Sequence, residues 1–140
     1  MRTILLCLLT CLLFFTMPAC QTQLYGEPTW DYPANLEQES VADIQVFRED
    51  SDITIVNNTP VTYENCRIWI NERYARAVSS LPAGSSLTLS LFDFRDASGE
   101  IFRGGGFFAG YEPDPVVLVQ LQTSDGRLLG LIVEGGNTPE

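Results

Sequence analysis

The side chains able to do chemistry in this sequence are carboxylates, arginines, hydroxyls and cysteines, because the chain contains neither histidine nor lysine. Histidine is the usual general base and the commonest protein metal ligand near neutral pH. Without histidine the chain cannot assemble a Ser-His-Asp or Cys-His nucleophile, and without lysine it cannot form a Schiff base. We therefore predict a protein that is not an enzyme, with no catalytic residues, no metal and no cofactor.

Carboxylates are abundant, and such groups can in principle bind calcium or hydrolyse a glycosidic bond. Asp93, Asp96 and Glu100 lie close together around Ser98, but their spacing does not match the alternate acidic positions of an EF-hand loop. Clusters of this kind are typical of solvated hairpin turns. A small carboxylate-dependent hydrolase remains an alternative, although a domain of this size leaves little room for a deep cleft.

A short apolar run at the amino terminus precedes a cysteine. Arg2 provides a positive charge, and Ile4–Phe15 is apolar apart from one threonine, which suits the core of a signal peptide and is short for a membrane span. Met17-Pro18-Ala19-Cys20 follows and resembles the lipobox of bacterial lipoproteins, with proline where that motif usually has alanine, serine or threonine. A transmembrane anchor and ordinary signal-peptidase cleavage after Ala19 are the alternatives.

The resemblance to lipoproteins implies a location for the mature protein. Cys20 would be the lipid attachment site, carrying acyl chains such as palmitate on its thiol and its new amino terminus. Several acyl chains together anchor a protein stably on a membrane. Gln21 in place of aspartate after the cysteine favours the outer membrane in a host that has two membranes. We therefore expect an extracytoplasmic lipoprotein of the cell envelope, exposed to the periplasm in such a host.

Removal of residues 1–19 as a signal peptide leaves Cys20 and Cys66 in the mature chain. With Cys20 lipidated, no intramolecular disulfide can form. Cys66 lies on the same face of a predicted strand as Ile68. We therefore expect the Cys66 side chain to be buried and apolar rather than a reactive thiol. Trp69 falls on the opposite face, which we expect to be polar.

Composition divides the mature chain into three parts. Residues 20–40 have no strand or helix periodicity and contain glycine and prolines, which predicts a lipidated amino terminus followed by a flexible tether. Residues 41–135 form the predicted domain, and 136–140 form a polar tail. Aromatic residues in the tether either dock on the domain or form an exposed motif that meets a partner or the lipid interface. They are Tyr25, Trp30 and Tyr32.

Short alternating strands separated by turn residues fill the domain. Leu87, Leu89 and Leu91 alternate strictly with small polar residues, and Val116–Gln122 with Arg127–Val133 reads as a closing hairpin. About seven strands at this spacing predict an all-β fold, a small antiparallel sandwich, with a small barrel as the alternative. The segment 57–102 resembles bacterial immunoglobulin-like or fibronectin-type modules in its order of strands and turns, without the paired cysteines of true immunoglobulin domains.

A glycine-rich stretch with aromatic side chains follows this segment. Three glycines, Gly104–Gly106, precede Phe107 and Phe108, and Tyr111 comes shortly after. One interpretation is a bulged edge strand whose glycines allow a bend while Phe107 or Phe108 packs inward. The other is a flexible interaction loop in which Phe107, Phe108 and Tyr111 contact a partner.

The charge of the chain restricts its partners. Eight arginines face 18 carboxylates, for a formal net charge of -10. Nucleic acid is excluded as a partner, since affinity for it comes largely from neutralising phosphates. We predict a membrane-anchored, non-catalytic binding or interaction module of the cell envelope, whose partner is another envelope protein. A structural accessory protein without a dedicated ligand is the alternative.

Overall fold

β-Strands make up the fold of the computed structural model, which describes residues 30–107 and 109–135. The strands there are β1 Gln38–Glu49, β2 Asp52–Asn57, β3 Tyr63–Ile70, β4 Tyr74–Leu81, β5 Ser86–Ser90, β6 Val119–Gln122 and β7 Leu128–Glu134, and a short 3₁₀ turn, Leu91–Asp93, follows β5. The prediction of an all-β domain with about seven strands is confirmed. Within these described residues, no helix has the length and apolar character that crossing a bilayer requires.

The strands form one sheet in the order β4-β3-β6-β7-β1-β2-β5. Neighbouring strands are antiparallel except for β1 and β7, which run parallel, with Val46 beside Val133. The sheet is therefore mixed, and the prediction of a purely antiparallel arrangement is corrected. Side chains alternate with the same period in parallel and antiparallel strands, so the sequence pattern could not distinguish them.

The hydrophobic core joins strands from distant parts of the sheet. Ile53 of β2 and Leu89 of β5 belong to the same buried cluster as Ile68 of β3 and Leu121 of β6. Because these strands are far apart in the sheet order, the sheet must curl until its two halves share one interior, which gives a nearly closed shape. The predicted burial of Cys66 and Ile68 on one face of β3 is confirmed.

One residue within β3 changes which positions face the core. Asn65 has a φ of 49°, in the left-handed region. Tyr63 is buried before it and Cys66 is buried after it, whereas Glu64 and Asn65 are both exposed. Regular alternation would bury every second residue, so the left-handed conformation at Asn65 shifts the inward-facing set by one position.

The described end of the predicted tether packs on the outer face of β3 and β6. We call residues 30–37 the strap. Trp30 covers the Arg67 guanidinium at 3.8 Å, and the Tyr32 ring meets Trp69 edge-on with ring centroids 5.4 Å apart. The Tyr32 hydroxyl also donates a hydrogen bond to the Gln120 amide oxygen at 2.9 Å. Two of the three tether aromatics therefore dock on the domain, as the first alternative predicted; Tyr25 lies outside the described residues.

The strap accounts for a difference from the sequence prediction in β3. Trp69, expected on a polar face, is fully buried beneath Tyr32 and Leu36. Its indole N–H donates to the Gln122 side-chain oxygen at 3.0 Å, so the polar edge of the ring is satisfied in this buried setting. Strand β1 then begins at Gln38, before the predicted domain start at Val41.

Candidate functional site

The described residues of the glycine-aromatic stretch form a loop with a closed neck, and we call residues 104–107 and 109–113 the aromatic loop. The Asp114 backbone N–H donates to the Arg103 carbonyl at 2.9 Å. The Arg103 guanidinium also forms an ion pair with the Asp114 carboxylate at 3.0 Å. Backbone and side chains of the same two residues therefore hold the ends of the loop together, as in a compact surface loop whose ends are close.

Arg48 of β1 attaches this neck to the sheet. Its Nη1 donates to the Asp114 carbonyl at 2.5 Å and its Nη2 to the Gly104 carbonyl at 3.0 Å, so one guanidinium bridges both sides of the neck. Its Nε donates to the Asp50 carbonyl at 3.2 Å. Desolvation lowers the pKa of Arg48, partly opposed by the Asp114 carboxylate. The planar fork of donors suits this bridging, which a lysine ammonium could not reproduce.

Glycine is required at the base of the loop. Gly105 has a φ of 84°, and a Cβ at this position would lie 2.9 Å from the Cβ of Pro113. An L-residue here would combine an unfavourable backbone conformation with a steric clash. The loop therefore depends on glycine for close contact between its two sides.

The loop presents aromatic side chains to solvent. Phe107 is 96% exposed and Tyr111 is 77% exposed. Together with Phe92, which is 46% exposed and follows β5, they line a largely apolar concave surface of about 520 Å³. Phe107 does not pack inward and the described residues on either side of position 108 form no strand, so the bulged-strand interpretation fails for Phe107. Phe108 lies outside the described residues, and a role in interaction stays a prediction for all three predicted loop residues.

The acidic cluster in the loop after β5 is internally satisfied. One Asp96 carboxylate oxygen accepts from the Ser98 N–H at 2.9 Å, the Ser98 hydroxyl at 2.7 Å and the Glu100 N–H at 2.9 Å, and the other accepts from Arg73 at 2.8 Å. Desolvation raises the pKa of Asp96, but the hydrogen bonds from Ser98 and Arg73 outweigh it and hold the pKa at about 2. Asp96 thus organises a turn, and Arg73 occupies the position that a cation would need. No group of three potential metal ligands occurs in the described parts of the chain.

Two carboxylates line a smaller concave surface at the opposite end of the sheet. Glu64 and Asp125 border a space of about 240 Å³. Glu64 accepts from the Ser80 hydroxyl at 2.8 Å. Hydrogen bonds from Thr123 and Arg127 lower the pKa of Asp125. A general acid for glycoside hydrolysis needs a raised pKa, so its surroundings do not favour Asp125 as that acid.

The remaining predicted positions fall into two groups. Cys66 is buried, and burial raises the pKa of its thiol, which disfavours the reactive thiolate. Cys20, the predicted lipid attachment site, and the predicted signal peptide lie outside the described residues. Sequence reasoning missed Arg48, Phe92 and Asp114, because no local pattern connects them with the glycines.

Comparison of the chain with family models, with curated proteins and with solved structures finds no match. What the chain does must therefore be argued from its own residues.

Proposed function

We propose that this protein is a membrane-anchored extracytoplasmic lipoprotein whose domain is a non-catalytic binding module, with the aromatic loop as its contact surface. The observation that carries the binding role is the exposure of Phe107 and Tyr111 on a loop whose neck is fixed by Arg48. Exposed aromatic side chains on a fixed support bury apolar area on binding with little loss of backbone entropy. The lipobox-like Met17–Cys20 supports the anchor.

We also propose that the sheet folds as an immunoglobulin-like sandwich. In this arrangement β2 and β5 form one layer, β4, β3, β6 and β7 form the other, and β1 joins the two through its pairing with both β2 and β7. The shared core cluster supports this layering. Methyl–methyl nuclear Overhauser contacts linking Ile53 and Leu89 to Ile68 and Leu121 would test it, and their absence would reject two facing layers.

Site-specific photo-cross-linking in cells tests the binding role. The absence of lysine means that amine-reactive cross-linkers cannot attach to side chains of this protein. A photo-reactive benzoylphenylalanine replacing Phe107 should capture a discrete envelope protein. The matched control replaces Val61, which is 46% exposed and follows β2 at the opposite end of the sheet. Equal capture from both positions, or none from position 107, would favour the structural-accessory alternative.

Mass spectrometry of the mature amino terminus tests the anchor separately. The proposal requires a chain that begins at Cys20 and carries acyl mass on that residue. A chain that begins elsewhere, or an unmodified Cys20, would reject lipidation without affecting the binding role of the domain.

A further inference from the structure

We propose that the aromatic loop binds a peptide segment of a partner protein in which an aromatic or long aliphatic side chain is flanked by arginine or lysine. This inference rests on the proposed binding role of the loop and adds the chemistry of its occupant. The apolar surface determines that the central side chain of the peptide is aromatic or aliphatic. The charges around this surface determine that the flanking residues are arginine or lysine.

The concave surface accommodates an apolar anchor. Its lining includes three aromatic side chains, Phe92, Phe107 and Tyr111, together with the loop glycines, Ala109 and Arg103, whose guanidinium pairs with Asp114. The space of about 520 Å³ lies within the usual range for sites that bind small ligands, so it is large enough for one apolar side chain. The exposed rings of Phe107 and Tyr111 can also receive a guanidinium or ammonium group over their faces, so the aromatic lining itself favours a cation beside the anchor.

The positive charges near the loop are already engaged within the protein. Arg103 pairs with Asp114 at the neck, and Arg76 pairs with Asp93, the residue after Phe92, at 2.9 Å. Arg48 directs its donors at three backbone carbonyls. Each of these groups already contacts a carboxylate or a backbone carbonyl, so an acidic ligand would have to compete with a contact within the protein.

Negative charges lie within the aromatic loop and beside its neck. Glu112 follows Tyr111 and is exposed, and Asp50, whose carbonyl accepts from Arg48, is exposed beside the neck. Among the described residues, no salt bridge engages either carboxylate. The formal net charge of -10 adds a long-range attraction for cations. The exposed carboxylates and the negative net charge both attract a cationic partner. The same two features repel an anionic lipid surface.

Selection from a displayed library of random linear peptides tests the inference. The bait is the protein produced from the full chain and held in detergent micelles, and counter-selection uses a Phe107→Ser, Tyr111→Ser variant. We expect enriched peptides that combine aromatic or aliphatic residues with arginine or lysine. Synthetic versions should bind about 30-fold more weakly to Phe107→Ser and about threefold more weakly to Glu112→Gln. Val61→Ser should bind like the wild type, and added salt should weaken binding.

Three outcomes of the selection would overturn the inference. These are enrichment of acidic or uncharged peptides, enrichment that survives in the counter-selected variant, and no enrichment at all. Binding to vesicles rich in phosphatidylglycerol that exceeds binding to the peptides would also overturn it, in favour of a lipid surface. If photo-cross-linking at position 107 still captures a protein in cells, the binding role stands and only the cationic occupant is rejected. Unchanged thermal unfolding of each variant shows that the loss is not due to misfolding.

Discussion

Replacement of Arg48 by methionine should loosen the aromatic loop while leaving the sheet folded. The change keeps most of the apolar stem and removes the donors that bridge the Gly104 and Asp114 carbonyls. A hydrogen bond to a charged group contributes about 1.5–3 kcal/mol. Two effects reduce the net free energy lost when these bonds are removed. The part-buried Arg48 guanidinium is desolvated in the folded protein, and this desolvation also lowers its pKa. Water can also solvate the carbonyls that Arg48 releases. A net loss of about 2 kcal/mol is expected from the two bonds together.

Native-state hydrogen exchange of the Asp114 amide measures this loss locally. That amide donates across the neck to Arg103, so its protection reports whether the neck is closed. A loss of about 2 kcal/mol corresponds to roughly 30-fold faster exchange. Arg48→Lys should recover only part of the protection, because an ammonium cannot bridge both carbonyls with the same geometry. Arg127→Met, at the opposite end of the sheet, is the control and should leave the Asp114 amide unchanged. Unaltered protection of the Asp114 amide in Arg48→Met would refute the role of Arg48 in holding the neck closed.

Three further predictions concern the loop, the acidic turn and the strap. Gly105→Ala should destabilise the protein by about 1–3 kcal/mol more than Gly126→Ala in chemical denaturation, since both glycines have positive φ but only at Gly105 would the new methyl group meet Pro113. Equal costs would contradict the clash. The pKa of Asp96 falls from 3.8 to about 2 on folding, so this carboxylate contributes about 2 kcal/mol above pH 4 that is lost as the pH falls from about 4 to about 2. In Asp96→Asn, the free energy of unfolding should depend less on pH between about 4 and about 2. The same pH dependence in this variant and in the wild type would contradict the prediction. Tyr32→Ala should expose Trp69, seen as a red shift of tryptophan emission and easier quenching by acrylamide, with about 2 kcal/mol lost from stability. Unchanged emission would mean that the strap does not cover Trp69 in solution.

The positions of the strands and the closing hairpin of β6 and β7 could be predicted from the sequence, whereas the pairing of strands distant in the chain could not. Alternation places Ile53, Cys66 and Leu89 inward because a half-buried strand must put every second side chain in the core. Nothing in that alternation says which strand lies next to β1. Its parallel pairing with β7 joins the two ends of the domain in space, and such a pairing depends on the packing of the whole sheet rather than on any local pattern.

Trp69 illustrates how a distant segment changes the meaning of a local pattern. It alternates with Ile68 and Ile70, so the sequence alone places it on the solvent side of β3. The strap supplies Tyr32 and Leu36 from a part of the chain that has no periodicity and was predicted as a tether. An aromatic residue on an apparently polar strand face, together with aromatic residues in a supposed linker, is the signal that could have predicted this contact.

The aromatic loop could be located from the sequence, but the attachment of its neck to the sheet could not. Consecutive glycines next to phenylalanines mark an irregular segment with apolar side chains, and this is enough to propose an interaction surface. Whether such a surface can bind depends on the entropy that must be lost to order it. That entropy is reduced here by Arg48, whose contacts with the neck join residues separated by 56 and 66 positions in the chain. A loop with the same glycines and aromatic residues but without the Arg48 contacts would have the same sequence pattern and would bind a partner more weakly. The function proposed for this loop therefore depends on an arginine that lies outside it.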